Sequence, residues 1–223
     1  MSKLIVIDGL DGSGKATQAA KLQKTLLQKG ERVKKISFPD YNEKSSTLVR
    51  MYLAGDFGSD ANLVNPYAAS IFYAVDRFAS YNLRWKQDYL SSGYIVADRY
   101  TTSNAIHQMS KLGEDEWESF LHWLDDTEYE KFGLPRPDIV IYLDVNPETC
   151  VKLLTKRCNE TTGACKDLHE RDINYLIRCR KAAIYAAEKL GWNVIACCDE
   201  NDLLPEEIIG KHIFDVLTKN NII

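Results

Sequence analysis

Two stretches of this chain carry side chains that can handle phosphate. Gly9 to Thr17 reads Gly-Leu-Asp-Gly-Ser-Gly-Lys-Ala-Thr, a G-x-x-x-x-G-K pattern. Glycines at 9, 12 and 14 free the backbone to turn so that successive N–H groups point inward at an anion. Lys15 adds a mobile point charge for the outer phosphates. The second stretch is Asp98-Arg99. The Arg99 guanidinium is a planar fork suited to a phosphate, and Asp98 can orient that fork or hold a metal-bound water.

Each has an ordinary alternative: a glycine-rich turn that binds nothing, or an ion pair at a strand end. The flanking elements decide between them. Leu4-Ile5-Val6-Ile7, with Lys3 before it and Asp8 after it, suits a strand buried on both faces. After Lys15 the period becomes helical, with Ala19, Leu22 and Leu26 on one face and Gly30 as a stop. Strand, glycine loop and helix in that order give the motif its mechanism, since the helix directs the positive end of its dipole at the phosphates. The residue after Lys15 is Ala16 where a Ser or Thr usually holds Mg²⁺, and Thr17 follows. The metal would then be held mainly by phosphates and water, with Asp98 placed to hold a metal-bound water.

Further strands are expected at Arg32–Phe38, Tyr94–Ala97, Asp138–Val145 and Asn193–Cys197. Helices are expected at Ser45–Leu53, from Asn65-Pro66 to about Leu90, at Ser103–Lys111, Asp115–Thr127, Glu148–Arg157, Glu170–Leu190 and Pro205–Leu217. Alternating strands and helices predict an α/β fold with a parallel sheet covered on both faces. Ligands in such sheets bind at the carboxyl ends of the strands, so Asp8-Gly9, Phe38-Pro39-Asp40, Asp98-Arg99 and Asp144 should meet in one cleft. Tyr73 and Arg77 lie four apart on one helix face and could sandwich a nucleobase, although such an aromatic is more often core. Ser103 and Asn104 offer short groups for a base edge.

The 223 residues suffice for one substantial core, and one domain is expected. No apolar run is long enough to span a membrane, and the amino terminus enters the first strand directly, leaving no room for a signal peptide. A net charge of -4 argues against a binder of long nucleic acids. The six cysteines all lie in the last third and fit a reduced, cytoplasmic setting better than a disulfide framework. Cys158, Cys165 and His169 raise a zinc site only weakly, because their spacing is irregular.

Taken together, the chain resembles the thymidylate kinases, which phosphorylate dTMP to dTDP with ATP. The resemblance rests on Gly9 to Thr17, Phe38-Pro39-Asp40-Tyr41, Tyr73-x3-Arg77, Asp98-Arg99-Tyr100 with Ser103-Asn104, and Arg136-Pro137-Asp138. It implies a P-loop nucleoside-monophosphate-kinase-like fold over residues 1–223, with a five-stranded parallel sheet in the order 2-3-1-4-5 and a lid. ATP phosphates would lie on Gly9, Leu10, Asp11, Gly12, Ser13, Gly14, Lys15, Ala16 and Thr17. Asp11 would contact the acceptor's 3′-hydroxyl and, like Asp98, sit near the metal. Arg99 would grip the acceptor's phosphate, with Phe38, Pro39 and Tyr41 lining the acceptor site. Tyr73 would stack on thymine, Arg77 would reach a carbonyl oxygen, and Ser103 and Asn104 would complete base recognition. His107 would screen against a ribose 2′-hydroxyl.

Members that lack an arginine in the phosphate loop carry basic residues in the lid instead. The arginine position here is Gly12, so Arg157, Lys166 and Arg171 in the lid, about 157–171, become the expected cations beside Lys15, Asp11, Asp98 and Arg99. A solvated surface loop is the plain alternative for that segment. The resemblance further implies Mg²⁺ and a homodimer. Asp40 stands where an arginine is common, which leaves one phosphate or sugar contact open. Rival readings are a deoxynucleoside kinase using Asp40 as general base, a kinase of another nucleoside monophosphate, and a non-catalytic ATP sensor, which Ala16 alone favours.

Overall fold

A computed structural model describes residues 1–58, 64–160, 173–199 and 202–223, the side chains of 157–160 excepted. Its centre is a parallel sheet of β1 (Lys3–Gly9), β2 (Val33–Ser37), β3 (Tyr94–Asp98), β4 (Ile139–Asp144) and β5 (Asn193–Ala196). They lie in the order β2-β3-β1-β4-β5, as the resemblance implies.

Alternation of side chains along β1 explains the two apolar layers. Leu4 and Val6 pack with Ile36, Trp85, Ala97 and Tyr100, while Ile5 and Ile7 pack on the other face with Leu22, Leu26, Ile141 and Ile213. Asp138 anchors the start of the strand, accepting from the Leu4 N–H at 2.8 Å and from Lys3 Nζ at 2.8 Å. Arg136-Pro137-Asp138 is thus a brace, with Arg136 turned outward to Asp125 and Glu130.

Register puts the carboxyl ends side by side. Ile7 and Ser37 both stand opposite Asp98, and Gly9 opposite Leu143. Around the sheet lie α1 (Lys15–Gln28), α2 (Thr47–Ala54), α3 (Pro66–Ser80), α4 (Lys86–Leu90), α5 (Thr102–His107), α6 (Trp117–Asp125), α7 (Pro147–Glu160), α8 (Ile173–Leu190) and α9 (Glu206–Lys219). A short antiparallel pair, β6 (Cys198–Asp199) and β7 (Asp202–Leu203), precedes α9 and was not expected from the sequence.

Several helices are more broken than their apolar period suggests. The long helix expected from Asn65 to Leu90 is α3, a π-helical segment at Tyr81–Trp85, and α4. The wider turn brings Tyr81 and Trp85 into the core together, their rings 4.7 Å apart. Likewise the Ser103–Lys111 helix divides into α5 and a tight turn at Met109–Lys111, and the Asp115–Thr127 helix runs on through a π-helical segment at Asp126–Lys131. The candidate lid at 157–171, with Arg157, Lys166, Arg171, Cys158, Cys165 and His169, lies outside the described residues or their described side chains.

Candidate active site

The carboxyl ends of β1, β2 and β3 open into a cleft of about 680 Å³. Asp11 to Thr17 line one end, with Gln18, Leu203, Glu206 and Ile209 beyond them. Phe38, Pro39, Tyr41, Tyr73, Arg77, Asp98, Arg99, Ser103, Asn104 and His107 line the other. Most sequence-expected groups are therefore brought together, with Gly9 and Leu10 outside the lining. Asp144 at the end of β4 is not among them: its carboxylate accepts from Arg180 Nε and Nη2 at 2.6 and 2.7 Å instead.

The phosphate loop has little freedom. Gly12 and Gly14 hold φ near +85° and +81°, a region side chains avoid. A Cβ on Gly12 would stand 2.7 Å from the Cys150 carbonyl oxygen at the start of α7. The loop therefore lacks not only an arginine at this position but the room for one.

Two cations meet on one carboxylate oxygen. Lys15 Nζ lies 3.3 Å from Asp11 Oδ1 and donates to the Leu10 carbonyl at 3.0 Å. Arg99 donates through Nη2 to the same Asp11 oxygen. Burial opposes charge on Asp11, but Arg99, Lys15 and His107 outweigh it and hold the carboxyl well below the usual range. Lys15 is pushed below the ordinary lysine range by burial and by Arg99. Arg99 itself has φ +67°, an uncommon conformation for a residue with a side chain, and its N–H donates to the Ile7 carbonyl at 3.1 Å.

The far side of Arg99 is held by His107. Nη1 lies 3.1 Å from His107 Nε2, and His107 Nδ1 lies 3.2 Å from the Tyr175 hydroxyl. A guanidinium can only donate, so Nε2 accepts and the ring proton sits on Nδ1, facing Tyr175. Burial, joined by Arg99, pushes the imidazole down to about 4 despite Asp11 and Asp8. Asp8, fully buried, accepts from Thr102 Oγ1 at 2.6 Å, Ser103 Oγ at 2.7 Å and the Gly9 N–H at 2.8 Å. Ser103 thus sends its proton to Asp8, on the phosphate side, rather than toward a base edge.

Asp98 lines the cleft with Oδ1 buried and without a hydrogen-bond partner. Burial raises its carboxyl above the usual range, outweighing Lys15 and Arg99. An orphaned acceptor here suits a proton of metal-bound water. Among the described residues no three His, Cys, Asp or Glu side chains are grouped to hold a metal directly.

At the other end, Tyr73 packs edge-on against Tyr52 at 6.3 Å. Arg77 is 1% exposed and donates to Glu128 through Nε at 2.7 Å and Nη2 at 2.5 Å, and to the Tyr100 carbonyl through Nη1 at 3.2 Å. Burial opposes its charge, and Glu128 restores it. Asn104 Nδ2 donates to Glu128 Oε1 at 3.1 Å and to the Ser70 carbonyl at 3.2 Å.

Asp40, weighed above as a general base, does not line the cleft. Its N–H donates to Asp76 Oδ2 at 2.8 Å, and its carboxylate lies 3.8 Å from Arg84. Asp8, Gln108, Glu128 and Tyr175 are site or supporting residues that the motifs did not mark. Asp8 alone had a sequence signal, as the last residue before the glycine loop.

A model of the family described as Thymidylate kinase matches residues 7–208. The chain is 31% identical over 186 residues to a thymidylate kinase of Mycobacterium tuberculosis, covering 82% of this chain and 84% of that one. It is 28% identical over 159 residues to one from Caenorhabditis elegans, covering 67% and 66%. A solved thymidylate kinase structure from Candida albicans superposes with a TM-score of 0.69 at 18% identity, covering 99% of this chain and 93% of that one, a likeness of fold.

Proposed function

The chain belongs to the thymidylate kinase family, and from that premise we propose how its cleft transfers the ATP γ-phosphoryl group to the 5′-phosphate of dTMP. The reaction makes dTDP and ADP. The observation that carries the reading is the convergence of Lys15, from the phosphate loop, and Arg99, from the end of β3, on one oxygen of Asp11. Two phosphate-binding cations that near each other are what a donor and an acceptor phosphate need when they meet in line.

Substrate phosphates, carrying more charge than one carboxylate, would take over Lys15 and Arg99 from Asp11. That frees Asp11 to accept from the sugar 3′-hydroxyl. The acceptor oxygen is already anionic near neutral pH, so no general base is required. Catalysis is then positioning and charge neutralisation by loop N–H groups, Lys15, Arg99 and the lid cations Arg157, Lys166 and Arg171. Mg²⁺ bound with ATP, held by phosphates and by water on Asp98 with Asp11 nearby, would supply further neutralisation of the transferring group.

For the base, Tyr73 offers a stacking face. Arg77 keeps one N–H on each terminal nitrogen beyond those given to Glu128 and Tyr100, a donor set suited to a pyrimidine carbonyl. A deoxynucleoside kinase reading loses its support, because Asp40 faces Arg84 outside the cleft. Residues 1–223 as one kinase domain with a lid at about 157–171, homodimerisation and a cytoplasmic setting belong to the same proposal. Sedimentation mass is the check on the dimer.

Arg99→Ala should lower kcat/KM for dTMP by about 10²–10³-fold, the scale of losing one preorganised donor to a transition state. ATP binding should stay near normal. Near-normal turnover and dTMP affinity in that variant would sink the assignment.

A further inference from the structure

Glu128 is fully buried, yet it belongs to none of the motifs and its place in the sequence, Asp-Asp-Thr-Glu-Tyr-Glu-Lys, reads as a solvated charged face. The π-helical segment Asp126–Lys131 turns it inward, and the Leu134 N–H pins its carbonyl at 3.1 Å. Inside, its carboxylate joins two helices. Oε1 and Oε2 take Nη2 and Nε of Arg77 on α3, and Oε1 also takes Nδ2 of Asn104 on α5.

An ionised carboxylate accepts and never donates. Asn104 must therefore turn its NH₂ toward Glu128, where the Ser70 carbonyl takes the second proton. The amide oxygen is left without a partner among the described residues, on a side chain that lines the cleft. Arg77, gripped on the same carboxylate, presents donors beside it. A donor next to an acceptor matches the 4-carbonyl and N3–H of thymine or uracil. It mismatches cytosine, which has an amino group at position 4 and an acceptor at N3.

We propose that Glu128 is the positioning residue that sets the pyrimidine selectivity of this site, by fixing the orientation of the Asn104 amide and the Arg77 guanidinium. The inference rests on the nucleotide-kinase reading above. Glu128 touches no substrate; it decides which face of Asn104 the substrate meets. Glutamine in its place can donate as well as accept, so the Asn104 amide loses its imposed direction and can offer an N–H to cytosine N3.

The test is kcat/KM for dTMP and for dCMP at saturating ATP in wild type, Glu128→Gln and Glu128→Asp, with ATP affinity measured in each. Glu128→Gln should reduce the dTMP-to-dCMP ratio about tenfold or more, the scale of one buried hydrogen bond reversed, with ATP affinity unchanged. Glu128→Asp keeps the acceptor-only group, so it should slow both acceptors while holding the ratio within about threefold. Equal losses on both acceptors in Glu128→Gln would reduce the residue to a structural brace and overturn the proposal. Should that variant fail to fold, Arg77→Met with Glu128→Gln removes both buried charges at once. Because losing Arg77 lowers the ratio by itself, the double variant is read against Arg77→Met alone, and a ratio no lower than in that reference overturns the proposal as well. Wild-type turnover of dTMP reports on the nucleotide-kinase reading separately, so the two can fail independently.

Discussion

At the scale of single residues, the site is built on shared hydrogen bonds rather than on isolated motif members. Arg99 could be read from its place at a strand end, but its partners could not. His107 is the clearest case: the sequence suggested a screen against a 2′-hydroxyl, while the structure has its Nε2 on Arg99 and its Nδ1 on Tyr175, 68 residues away. This contact has a pH signature. The imidazole sits near 4 in the folded chain against an ordinary 6.5. The unfolded chain therefore takes up the proton more readily between those values. Stability from this group is complete above about pH 6.5 and is lost as pH falls toward 4. The Tm advantage of wild type over His107→Gln should shrink through that window in thermal melts. Parallel Tm curves for the two proteins would contradict the buried, neutral assignment.

At the scale of elements, β1, β3 and β4 were legible because each is a short apolar run buried on both faces, which admits few other readings. The loop and α1 followed from glycine spacing and the switch to helical period. Helix interiors were less legible. Apolar period alone does not reveal a π-helical turn, and two such turns here decide that Trp85 enters the core and that Glu128 faces Arg77. The missing loop arginine was visible in the sequence; the reason it cannot be restored lies in packing of α7 against the loop. Gly12→Ala meets both a φ of +85° and the Cys150 carbonyl 2.7 Å from the new Cβ. It should weaken ATP binding about tenfold or more by titration, on the scale of 1–3 kcal/mol for a forced backbone. Wild-type affinity in that variant would mean that α7 yields easily, and that room for a side chain exists after all.

At the scale of the whole molecule, the sheet order places distant segments at one edge, and the sequence predicted that edge well. Asp8, Phe38, Asp98 and Gly12 arrive there from three strand ends because adjacent parallel strands end in register. The short β6–β7 pair and the contributions of Tyr175 and Ile209 to the cleft walls were illegible, since they depend on how α8, before β5, and α9, after β7, dock against the sheet. Among the described residues no helix is long and apolar enough to cross a membrane. The central claim is that two phosphates meet between Lys15 and Arg99. The most direct measurement is ADP release with ATP and Mg²⁺, offering dTMP, dUMP, UMP, CMP and thymidine as acceptors side by side. Strong preference for dTMP is the expected result. Phosphorylation of thymidine but not of dTMP, or ATP binding without turnover of any acceptor, would contradict it.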